Sequence, residues 1–138
     1  MPVWLWMKLG IYYRIPPCFS DYHPGGLRIY HAGDTCLFGD MKLIGQLYRP
    51  QIGLIPVGAA TPQHGQDLPP AEAAQAAQWI GCEFAVPIHY YHEKDPLEFA
   101  KIANTLCPWM EVKCMNPGEE LVISVKRQGS RTTFLLKD

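Results

Sequence analysis

Two residues able to hold a metal ion stand at matching places in this chain. Asp34 follows the run Leu27-Arg-Ile-Tyr-His-Ala-Gly33, and His89 follows Phe84-Ala-Val-Pro-Ile88. Each run is short, apolar and partly β-branched or aromatic, so each reads as a strand. A polar side chain where a strand gives way to a turn is held by rigid backbone and faces the crevice opening there. Gly33 lets the backbone turn and leaves room for a close neighbour. A carboxylate and an imidazole together suit zinc, manganese or iron, without choosing among them. Taken alone, Gly33-Asp34-Thr35 would read first as the N-cap of a following helix. The second strand delivers a histidine of its own at its C-terminal end, so the N-cap is not the only reading to weigh.

Other side chains could join that pair. His31 lies just before the Gly-Asp turn and reads as a supporting or packing histidine. His64 falls in the Gly- and Pro-rich loop 58–69, where a solvated histidine is the plainer reading and a ligand the sharper one. His92, three residues past His89, is either a further ligand or an exposed loop residue, and His23 reads as a polar loop residue. The cysteines, Cys18, Cys36, Cys82, Cys107 and Cys114, are odd in number and contain no Cys-x-x-Cys pair. That spacing points to free, buried thiols in a reducing compartment, not to a zinc knuckle or a disulfide framework. Cys36, two residues beyond Asp34, reads as a small apolar filler before it reads as a ligand.

The elements that must position these residues alternate. Strands are expected over 27–30, 52–57 and 83–88, the last two apolar enough to be buried on both faces. Between and after them, helices are expected over 37–47, 70–80 and 95–106. Pro70 opens the second helix and Gly81 closes it. Shorter strands follow over 110–115, 121–126 and 132–137, with Asn116-Pro-Gly and Gln128-Gly-Ser as turns. Residues 3–13 could form one or two strands before a Pro-rich loop. Such alternation is α/β architecture, and 138 residues suffice for one domain with its own core.

The order of these segments resembles the C-terminal half of the metallo-β-lactamase superfamily, over about residues 27–125. It is most similar to the branch of small metal-dependent hydrolases that resemble ascorbate-phosphate lactonases. The carrying segments are Tyr30-His-Ala-Gly-Asp-Thr35, Tyr48 to Gly58, Pro70 to Ala77 and Phe84 to Tyr91. The resemblance implies half of an αββα sandwich, with a mixed sheet and helices on one face. It assigns Asp34 to the aspartate that bridges two metal ions and His89 to a histidine on one of them. It further implies hydrolysis of an ester, lactone or phosphoester by a hydroxide held between the ions. Residues 1–26 match no part of the family pattern.

The superfamily's His-x-His-x-Asp-His motif has no counterpart in this sequence, nor does the histidine that normally precedes Gly-Asp by several tens of residues. A catalytic zinc site needs about three protein ligands and a water. The expectation is therefore a hydrolase-like protein that binds zinc, manganese or iron weakly or not at all, and is weak or inactive alone. The alternative is a non-catalytic remnant or interaction module keeping the fold. Net charge is -1 with no basic run, which excludes a nucleic-acid footprint. The apolar opening segment is too short to span a bilayer and lacks a secretory pattern, so a cytoplasmic location is expected. A half sandwich would leave the inner sheet face in water, so a homodimer packed sheet to sheet is expected.

Overall fold

The computed structural model describes residues 27–58, 68–128 and 131–137. The readings made for residues 3–13, Cys18, His23 and His64 lie outside these. In chain order come β1 (Ile29–His31), α1 (Met41–Tyr48), β2 (Ile52–Pro56), α2 (Pro70–Ile80), β3 (Phe84–Ile88), α3 (Lys94–Leu106) and β4 (Glu111–Val112). Strands β5 (Val122–Gln128) and β6 (Arg131–Lys137) come last. Strands β1 to β4 form one parallel sheet in the order of the chain, and β5 pairs with β6 antiparallel in a second sheet. Both strand directions are thus present, divided between two sheets. Parallel neighbours need a crossover between them, and the three helices supply it.

Alternation along the strands splits the apolar residues into two clusters. Ile55, Val57 and Ala85 join Met41 of α1, the alanines of α2, and Phe99 and Ala103 of α3. Ile52, Leu54, Phe84, Val86 and Ile88 form the other cluster with Leu27, Ile29 and Met115. Every residue of this second cluster is no more than 7% exposed. The inner face is therefore not left in water, as the sequence reading expected. A surface this apolar is strongly driven out of solvent, at about 25 cal/mol per Å², and here it is buried within one chain.

Helix α2 has its expected bounds. Pro70 enters at the first turn, and Gly81 takes the left-handed C-cap conformation, its N–H donating to Ala77 O at 2.9 Å. Ala73, Ala74, Ala76 and Ala77 are all buried, and their small side chains let the helix lie close to its neighbours. Helix α1 approaches the end of α2 so closely that a Cβ on Gly45 would stand 2.4 Å from Trp79 O. Beside that contact, Lys42 Nζ lies 4.4 Å above the Trp79 ring.

Two elements differ from expectation. Helix α1 starts at Met41, because Met41 N–H bonds to Phe38 O and Lys42 N–H to Gly39 O in a tight turn before it. Leu37 and Phe38 still pack on the helix-side core, which is why they looked like part of the helical stripe. Strand β4 has two residues instead of six. Lys113 N–H continues the pairing to Ala85 O at 2.9 Å, after which Cys114 Sγ lies 3.6 Å from Pro96 O. No helix among the described residues is long and apolar enough to cross a membrane.

Candidate metal centre

In a parallel sheet all strands finish on the same edge, and crevices open there. Strands β1 and β3 flank β2, so the residues that follow each of them can meet above its end. After β1, Ala32 N–H still donates to Leu54 O at 3.0 Å, and Gly33 then turns the chain with φ +66°. That conformation favours glycine and places Asp34 just past the turn. After β3, Ile88 O accepts from Val57 N–H at 2.8 Å, and His89 itself takes φ +59°. A positive φ is uncommon for a residue with a side chain and is frequent at functional sites.

The two side chains converge. His89 Nδ1 lies 2.5 Å from Asp34 Oδ1, with the imidazole 33% and the carboxylate 62% exposed. The contact lacks hydrogen-bond alignment, and His89 Nδ1, itself buried, has no hydrogen-bond partner. A buried nitrogen left this way is costly unless something else satisfies it. Asp34 thus reaches toward His89 and does not cap α1, whose N-cap is Asp40.

His31 lies near enough to the pair to feel both of its members. Its Nδ1 accepts the Gly33 N–H at 3.0 Å, which puts the ring proton of the neutral form on Nε2. Burial, followed by the neighbouring His89, holds His31 below its ordinary value, while Asp34 pulls the other way. His92 is exposed, and its carbonyl accepts from Asp95 N–H at 3.0 Å at the start of α3. Cys36 is exposed and not a buried filler, whereas Cys82 and Cys107 are buried and Cys114 is intermediate. Among the described residues no group of three or more His, Cys, Asp or Glu side chains could hold a metal ion.

Two features had no place in the sequence reading. Tyr90, next to His89, donates its hydroxyl to Met115 O at 2.8 Å, across 25 positions of chain. No local pattern announces such a partner. Asp95, in the first turn of α3, is 3% exposed, and its Oδ2 has no hydrogen-bond partner.

Residues 21–90 match the family model described as a beta-lactamase superfamily domain. A solved metallo hydrolase from Ignicoccus hospitalis has a similar fold, at 30% identity and a TM-score of 0.59, over 80% of this chain and 42% of that one. The chain belongs to the metallo-β-lactamase superfamily. A metallo-β-lactamase fold protein from Bacillus subtilis, 17% identical, has the same fold, at a TM-score of 0.56 over 70% of this chain and 39% of that one. In sequence, this superfamily member is 41% identical over 115 residues to a metal-dependent hydrolase of Rubrobacter xylanophilus, covering 80% of this chain and 46% of the relative. It is 42% identical over 99 residues to one from Methanobrevibacter smithii, covering 68% and 39% respectively. The chain thus spans just under half the length of the curated relatives it matches.

Proposed function

We propose that this chain contributes part of a metal-dependent hydrolase centre, with Asp34 and His89 as its two ligands. The observation that carries the reading is the approach of Asp34 Oδ1 to His89 Nδ1 at 2.5 Å, with that buried nitrogen lacking a hydrogen bond. A cation shared by the two would satisfy both. An oxygen and an imidazole nitrogen suit zinc, manganese or iron, and the names of the Rubrobacter and Methanobrevibacter relatives support a metal. When bound at such a site, a metal ion acidifies water and polarises an ester, lactone or phosphoester. Asp34, mostly exposed, leaves the open side of the site to solvent and substrate. His31, with its proton on Nε2, carries a hydrogen-bond donor near the pair.

Two ligands hold an ion weakly, since a catalytic zinc site needs about three protein ligands and a water. Calorimetry on the metal-free chain should give zinc binding too weak to survive dialysis and lost in Asp34→Ala. The same chain should hydrolyse lactones and phosphodiesters no faster than background with zinc or manganese present. Nanomolar zinc affinity that Asp34→Ala abolishes, or metal-dependent turnover that His89→Ala abolishes, would overturn the two-ligand reading. A second reading, a fold kept without chemistry, is favoured by the absence of a third ligand among the described residues. No zinc binding at millimolar concentration would select it.

A further inference from the structure

The backbone of His89, at φ +59°, is one that a residue with a side chain leaves readily unless its surroundings fix it. It is fixed from both sides. On the N-terminal side, the preceding carbonyl, Ile88 O, accepts from Val57 N–H at 2.8 Å. On the C-terminal side, the next residue, Tyr90, donates its hydroxyl to Met115 O at 2.8 Å. That acceptor is itself anchored. Met115 is buried in the inner cluster, Lys113 N–H is paired to Ala85 O, and Cys114 Sγ lies against Pro96 O.

We infer that Tyr90 is a positioning residue for His89: its bond to the Met115 carbonyl holds the turn after β3 so that His89 Nδ1 stays against Asp34. The inference rests on the metal-site reading above and deepens it, since it names what aims the histidine. Without the hydroxyl, the turn is held from one side only. Rotation about the His89 backbone then swings the imidazole away from Asp34, while the sheet and both clusters keep their contacts. The effect falls on the donor's direction and leaves the fold intact.

Cobalt(II) titration of the whole chain tests this, because its visible absorption reports on ligand geometry. Wild type is expected to develop a band that Asp34→Asn loses. Tyr90→Phe keeps the ring and removes the hydroxyl. It should need about three- to tenfold more cobalt, the equivalent of one lost hydrogen bond, and give a shifted band, while urea unfolding stays a single cooperative transition at a slightly lower midpoint. Tyr91→Phe, at an exposed neighbour, should match wild type. Wild-type affinity and spectrum in Tyr90→Phe would overturn the inference and leave the metal reading standing. If wild type gives no band that depends on Asp34, the metal reading fails first and this inference falls with it.

Discussion

Cys82 is fully buried, its Sγ lying where a Cβ on Gly53 would come within 2.9 Å. Burial pushes its thiol from 9.0 up to about 12. The folded state therefore holds this proton more tightly than the unfolded chain does. The resulting stability is complete below pH 9 and is lost as the pH rises toward 12. Urea midpoints measured across that window should fall in wild type and fall less steeply in Cys82→Ala. An equal slope in both would show that the thiol is not the group responsible. At this scale Asp34 and His89 were legible because each directly follows a strand, and strand ends are marked locally by Gly33 and by the apolar run before His89. The bond from Tyr90 to Met115 was not legible, because nothing near Tyr90 in the chain points to a partner 25 positions away. The same holds for Asp95, whose burial is set by the packing around α3 and not by its neighbours in sequence.

Elements were legible where their ends carry backbone chemistry. Pro70 and Gly81 delimit α2 because one presets the first turn and the other accepts a left-handed C-cap. Periodicity starts α1 at Leu37 and the structure starts it at Met41, because Leu37 and Phe38 serve the same core ahead of the helix and periodicity reports burial, not hydrogen bonding. The two-residue length of β4 was also hidden, since the apolar content of 110–115 is spent on contacts other than sheet pairing. How closely α1 and α2 pack is likewise absent from any pattern, yet one position sets it. A Cβ at Gly45 would lie 2.4 Å from Trp79 O and 2.6 Å from Ile80 O, both backbone atoms that cannot turn aside. Gly45→Ala improves helix propensity but forces the two helices apart. The net result expected is a loss of about 2 kcal/mol, as in other overpacked sites. Chemical denaturation would measure it, and a variant as stable as wild type would mean that the helix pair separates at no cost.

For the molecule as a whole, self-association stays a proposal, on a changed footing. The inner sheet face is buried within one chain, so a sheet-to-sheet dimer is not what the surface offers. The exposed apolar residues Leu43, Leu47 and Tyr48 instead form a stripe along α1, with Leu47 73% exposed. Light scattering at low micromolar concentration is expected to give twice the 15.6 kDa chain mass, and Leu47→Lys to return it to that of one chain. A wild-type mass of 15.6 kDa would end the proposal. The strand order carries one more consequence, which concerns time. Strands β1, β2, β3 and β4 lie side by side in the order in which they are translated, so a chain leaving the ribosome N-terminus first can add each one to an edge already in place. Asp34 and His89 can come together when β3 emerges and docks, while Met115 is still enclosed in the ribosome. The histidine thus meets its partner before the tyrosine beside it can be tied down, and the last stretch of chain to emerge sets what the earlier part has only brought near.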